Sequence, residues 1–352
     1  MTIDGTTHFG ALRPEMRRAI LGSQHFAEGL PSGAQDEFGV LDMCVDVVSV
    51  GVVCADVMVR PVEALPKRGS LALVPKLEIH LGGLAGVTAA VLCQLGAKAA
   101  FMGRLGQDGF GDYIVSALKS HGVDVSRVQR TGESGTSATV VLISEDGERT
   151  FLHHLGTNVL TSESDVDFDL VAKAKVLHWG GTSITPGLDG EPIGRVFRKA
   201  RAMGVKTSMD TCFDGKGIWF PHIQHALPYL DIAMSSIEEA RHYTGKHTPE
   251  DIADFYRSFG VETVMVKMGA DGLFVKNSRK AHHVSAHNVR VVDTTGAGDA
   301  ACGGFLYGVI HDWDLLQCGR LANAVGGLTV QVMGGSEGVR SLQETLTFME
   351  KA

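Results

Sequence analysis

From Val45 onward the chain alternates short, continuously apolar runs with segments of helical spacing, and this rhythm restricts its fold more than any other feature. The runs are Val45–Val53, Ala97–Leu105, Ala174–Trp179, Val205–Asp210, Asp231–Ser235 and Thr263–Met268. Strands that are apolar throughout, rather than at every second residue, are buried on both faces, as in parallel sheets covered by helices. Between them the spacing predicts helices near Ala85–Leu95, Phe110–Ser120, Pro192–Met203, Ile237–Thr244, Pro249–Phe259, Asp299–Asp312, Leu315–Met333 and Leu342–Lys351. The expected fold is α/β, a mostly parallel central sheet between two helical layers. Ligands of such sheets bind beyond the carboxyl ends of the strands.

Two stretches break the rhythm. Asp56–Leu65 with Leu73–His80, and Ser137–Ser144 with Arg149–His154, read as extended pairs, and Asp146-Gly147 is a hairpin signal. They predict a small antiparallel lid, inserted as segments of about 56–80 and 137–154; edge hairpins of the main sheet are the alternative. Residues 1–44 read as an N-terminal extension, with a short helix starting at Pro14–Leu21, ahead of one domain over 45–352.

The chemistry concentrates in Asp293-Thr294-Thr295-Gly296-Ala297-Gly298-Asp299-Ala300. A strand-like run, Asn288–Val292, precedes it and helical spacing follows it, so it reads as strand, glycine turn, helix start. Free amides and the dipole at a helix N-terminus attract an anion, and glycines let backbone approach it. A carboxylate in that same first turn, Asp299, is economically explained by phosphoryl transfer, with the amides holding phosphate and the acid taking a proton from the attacking hydroxyl. A plain connector with a favourable first-turn acid is the bland alternative.

This octapeptide resembles the C-terminal signature of the ribokinase-like (PfkB) carbohydrate kinases, whose fold is a three-layer sandwich with a small β lid. The resemblance implies Asp299 as catalytic base and Gly296, Ala297 and Gly298 as anion hole. It extends to Asp56 at the end of the first strand, and to His80-Leu81-Gly82-Gly83-Leu84-Ala85-Gly86-Val87, where Asp56, Gly82 and Gly83 would hold the acceptor. The family usually has asparagine where Val87 stands. Ser236-Ile237-Glu238-Glu239 aligns with an Asn-x-x-Glu motif that would give Glu239 a Mg²⁺ role, though Ser-x-x-Glu is also a capping box. Lys267, Gly269, Gly272, Thr295 and Asn323 fall on the nucleotide side, with Lys267 touching phosphate or simply solvated at a strand end. Asp293 and Thr295, with Gly334-Gly335-Ser336, match a monovalent-cation (K⁺) site of many relatives. Gly103–Gly111 also matches, with Asp108 as a helix cap.

The resemblance thus implies an ATP- and Mg²⁺-dependent kinase acting on a hydroxyl of a small sugar or sugar acid, dimeric through its lid. A nucleoside acceptor, or a sensor without turnover, are the rivals. The absence of a Gly-x-x-x-x-Gly-Lys-Ser/Thr motif argues against a P-loop enzyme, and no Gly-x-Gly-x-x-Gly follows the first strand. A formal net charge of -8 without a basic block disfavours nucleic acid and membrane surfaces as partners. Six cysteines without a Cys-x-x-Cys pair read as reduced thiols, and without a signal segment the chain is expected in the cytoplasm. His153 and His154, on a strand, would point to opposite faces and so not chelate one ion.

Overall fold

A computed structural model describes residues 45–145 and 148–351; the expected helix at Pro14–Leu21, Cys44 and the Asp146-Gly147 tip lie outside the described residues. The main sheet has nine strands: β1 (Val47–Gly51), β4 (Ala99–Gly106), β5 (Val128–Thr131), β8 (Val176–Gly180), β9 (Lys206–Asp210), β10 (Ile232–Ser236), β11 (Thr263–Lys267), β12 (Leu273–Lys276) and β13 (Ala281–Val284). Their order is β13-β12-β11-β10-β9-β8-β1-β4-β5. All neighbours are parallel except the β11–β12 and β12–β13 pairs at one edge.

The continuous apolar runs are explained by burial on both faces. Val50, Trp179, Met209, Ala233 and Val264 stand in register across five strands and belong to one core. Helices α3 (Glu191–Ala202), α4 (Ile237–Thr244) and α5 (Pro249–Ser258) close that core with Phe197, Tyr243 and Tyr256, all at most 2% exposed. Removing each such side chain from water is worth about 2–3 kcal/mol. The opposite face is covered by α1 (Leu84–Gln94), α6 (Ala297–Ile310) and α7 (Leu315–Thr329). There Ser49 and His178 point from β1 and β8; Ser49 Oγ donates to the Ala85 carbonyl at 2.8 Å, and burial drops His178 to about 3, so it is neutral. Helices α2 (Gly109–Ser120) and α8 (Leu342–Met349) complete the set of longer helices. Asp108 caps α2 through the Gly111 amide at 2.8 Å, as expected.

The two irregular stretches form a separate sheet, not edge hairpins. Strands β2 (Cys54–Arg60), β3 (Lys76–Gly82), β6 (Ala138–Ile143) and β7 (Arg149–His154) are ordered β3-β2-β6-β7. The β2–β6 pair runs parallel, so the sheet is mixed and not antiparallel throughout as expected. Its outer face carries Leu77, Ile79, Val57, Val59, Val140, Leu142 and Leu152 in register; Leu77 is 64% and Leu152 56% exposed. The inner face carries the row His80–Asp56–Thr139–His153.

One expectation fails. Asn288–Val292 is not a strand. The antiparallel β12–β13 hairpin finishes the sheet edge, and the chain must then travel back toward the middle with no strand beside it. Its amides find the end of α7 instead: Val292 N and Asp293 N donate to the Val330 carbonyl at 2.7 and 3.2 Å. The glycine turn therefore enters α6 from a crossing segment, not from a strand end.

Candidate active site

The turn before α6 is held from several sides. Asp293 Oδ1 accepts from Thr295 N at 2.9 Å and its Oδ2 from Gly334 N at 3.2 Å. Gly296 is left-handed at φ 72°, and a Cβ there would lie 2.5 Å from Gly335 Cα, so only glycine fits. Ala300 N donates to the Gly296 carbonyl at 2.8 Å and starts the helix. Ala297 N is turned back to the Thr294 carbonyl at 3.3 Å. Among the described residues the amides of Gly296, Gly298 and Asp299 have no backbone acceptor. These are orphan first-turn donors, the chemistry an anion needs. Of the three amides expected to form the hole, those of Gly296 and Gly298 have no backbone acceptor, and that of Ala297 is engaged. Thr88 Oγ1, from α1, donates to the Asp299 carbonyl at 3.0 Å and fixes the acid's backbone.

Around Asp299 the carboxyl ends of β9, β10 and β11 deliver charge. Lys267 is not a solvated strand-end lysine: its Nζ lies 2.7 Å from Asp210 Oδ1 and 3.6 Å from Cys302 Sγ. A Cβ on Gly298 would stand 3.2 Å from that ammonium, so the positive charge sits at the helix start. Burial alone would lower Lys267, but Asp210 and then Cys302, Glu239 and Asp299 outweigh it and hold the amine protonated. Burial raises Asp210, with Lys267 opposing. Burial first, and then the neighbouring Asp210 charge, push Asp299 up to about 8, again against Lys267. Asp299 still keeps partial exposure to solvent. Asp210 was missed in the sequence, where its one signal is being the acid that ends an apolar run.

Glu239 satisfies its bland role and leaves room for another. It forms the capping box of α4 with Ser236. Its Oε2 accepts from Thr211 Oγ1 at 2.7 Å and from Ser236 N at 3.3 Å; Oε1 carries neither bond. Burial raises its pKa. Among the described residues no three His, Cys, Asp or Glu side chains are grouped as a metal cage.

Asp56 faces this turn from β2, 6% exposed, with Cys54 Sγ donating to its Oδ1 at 3.2 Å. Burial raises it, and Asp293 adds to the rise. Gly82 lies beside it in space: a Cβ there would be 2.1 Å from Asp56 Oδ2. Gly83 precedes α1 at φ 90°. Val87 is fully buried and packs on Gly335, in the loop that touches Gly296. His153 Nδ1 pairs with Thr139 Oγ1 at 3.0 Å on the inner face, while His154 occupies the next position and the other face. Gly269 and Gly272 bracket a single turn between β11 and β12. Asn323 is tied to the Ser285 carbonyl at 2.7 Å, on the segment after β13. Arg149, also unanticipated, reaches from β7 to Thr295 Oγ1 at 3.0 Å.

Fold and site together give an α/β protein with unpaired amides at a helix start and an acid within it. The pfkB family carbohydrate kinase model matches residues 46–342. The chain is 31% identical over 284 residues to a probable chloroplastic fructokinase-6 of Arabidopsis thaliana, covering 75% of this chain and 73% of that one. It is 28% identical to the 2-dehydro-3-deoxygluconokinase of Bacillus subtilis, over 76% of this chain and 86% of that one. The structure of Arabidopsis thaliana ribokinase, complexed with ribose and ATP, superposes with a TM-score of 0.75 at 27% identity, covering 88% of this chain and 99% of that one. The chain belongs to the pfkB family of carbohydrate kinases and is by class an ATP-dependent carbohydrate kinase with the ribokinase fold. Among the described residues no helix is long and apolar enough to cross a membrane.

Proposed function

We propose that the protein transfers the γ-phosphoryl group of ATP to a hydroxyl of a small sugar or sugar acid. The observation that carries this is the placement of Asp299 in the first turn of α6, among unpaired amides and beside Lys267. In this reading the amides of Gly296 and Gly298, with that of Ala297 or Asp299, hold the transferring phosphoryl group, and Lys267 adds positive charge. Asp299, raised toward neutrality, is a base strong enough to take the hydroxyl proton near working pH. Asp56 accepts hydrogen bonds from acceptor hydroxyls, and the backbone at Gly82 and Gly83 lets the carboxylate and the acceptor lie close. Bound Mg²⁺ would neutralise phosphate oxygens, mostly through phosphate and water ligands. Glu239 Oε1 is the atom on this chain suited to its water shell.

In the same reading residues 45–352 are one kinase domain and the small sheet is its lid, excluding water from the reaction. Its exposed apolar outer face pairs with a second copy of the chain. Thr295, Gly269, Gly272 and Asn323 lie along the nucleotide, in the cytoplasm where ATP is available. The named relatives differ in acceptor, so an acceptor screen is the test. ADP release is measured with Mg-ATP and a panel of pentoses, hexoses, deoxy sugar acids and nucleosides. One sugar or sugar-acid class should drive release that Asp299→Asn abolishes. A nucleoside-only response would refute the acceptor class, and binding without any release would refute turnover.

A further inference from the structure

We propose that the guanidinium of Arg149, not a dissolved monovalent cation, is the counter-charge of Asp293 in the catalytic turn. The inference rests on that turn being the phosphate site of the reaction proposed above. Asp293 is 5% exposed and lies three residues ahead of the amides meant for an anion. A buried carboxylate there repels phosphate and is costly unless a full positive charge compensates it. The amides of Thr295 and Gly334 supply only partial charge. Lys267 is committed to Asp210. Among the described residues the one ion pair of Asp293 is with Arg149, whose Nη1 lies 3.7 Å from Oδ1.

The same Nη1 donates to Thr295 Oγ1 at 3.0 Å. Those two residues are the ones the family resemblance assigns to a monovalent ion. Both face the guanidinium, and a K⁺ among them would sit against a like charge. The residues present therefore do not fit a monovalent cation at Asp293 and Thr295. Arg149 is also held in place: it stands opposite Ile143 in the β6–β7 ladder, with its guanidinium 5.8 Å from the Phe151 ring. Its side chain is 29% exposed, so the pair closes one side of the turn rather than lying loose on the surface. The charge is thus delivered by the small sheet to a turn 146 residues away in sequence. Arg149 acts as a positioning residue, through Asp293 and Thr295.

The test measures ADP affinity and Tm of the full chain, wild type, Arg149→Met and Arg149→Lys, in KCl or tetramethylammonium chloride at equal ionic strength. Wild-type affinity should differ less than about twofold between the salts. Arg149→Met should lose roughly tenfold in tetramethylammonium, the scale of one charge-assisted hydrogen bond. K⁺ or added guanidinium should restore most of that loss, while Arg149→Lys should remain indifferent to K⁺. A wild type strengthened several-fold by K⁺ would overturn the proposal. So would an Arg149→Met variant that matches wild type in both salts, or one whose loss neither cation repairs. If Arg149→Met does not fold, the wild type and Arg149→Lys decide alone. ADP binding needs no acceptor, so a protein that phosphorylates nothing fails the kinase reading and leaves this measurement readable.

Discussion

Replacing Asp299 by asparagine should remove turnover and, by the same electrostatics, stabilise the folded chain at neutral and alkaline pH. The acid's ordinary pKa is 3.8 and its folded value is pushed up to about 8. Below the ordinary value both states carry the proton and the group contributes no difference. Between the two values the unfolded carboxyl ionises and the folded one does not, so stability falls as pH rises, by about 1.36 kcal/mol per unit. From pH 5 to pH 8 the ceiling is about 4 kcal/mol. Asp299 keeps partial solvent access, so screening reduces this to roughly 2 kcal/mol. Asparagine cannot ionise and escapes the loss. Urea unfolding of the nucleotide-free protein at the two pH values measures it. The stability gap between variant and wild type should widen in the variant's favour by roughly that amount, a few degrees in Tm. In parallel kcat should drop by roughly 100-fold or more, and wild-type kcat/KM should climb with pH toward about 8. A variant less stable than wild type at pH 8, a gap independent of pH, or near-normal turnover would each refute the reasoning.

Lys267→Met strands Asp210, whose side chain is fully buried, and should cost about 3 kcal/mol in unfolding free energy. Adding Asp210→Asn should recover most of it in a double-mutant cycle; an undiminished loss would count against the pairing. If the outer face of the small sheet pairs two copies as proposed, wild type should sediment as a dimer and Leu77→Lys with Ile79→Lys as a folded monomer. A monomeric wild type would end that reading.

How much of this was legible in the chain follows from range. The central strands were visible because burial on both faces makes them apolar end to end. Strands β5 and β13 were not, since Val128-Gln129-Arg130-Thr131 and Ala281-His282-His283-Val284 lie at the sheet's two edges and mix polarities. Asn288–Val292 misled because β-branched residues favour extension whether or not a partner strand exists. The turn at Asp293–Asp299 was readable because its chemistry is local. Asp210 and Arg149 were not, because each acquires its meaning from a partner 57 or 146 residues away. The Gly82-Gly83 pair was recognised, but the steric demand of the Asp56 carboxylate on Gly82 needs coordinates.

That last contact makes positions 56 and 82 a single heritable unit. A side chain at 82 and a carboxylate at 56 cannot occupy the same space. Any substitution at 82 first displaces the acid, while any shortening of 56 first opens a void beside a bare glycine. If this pair holds the acceptor as proposed, drift toward a different acceptor, natural or engineered, is impeded at this pair and starts more readily elsewhere. Position 87, where the family resemblance leads one to expect asparagine, would be such a starting point in that reading.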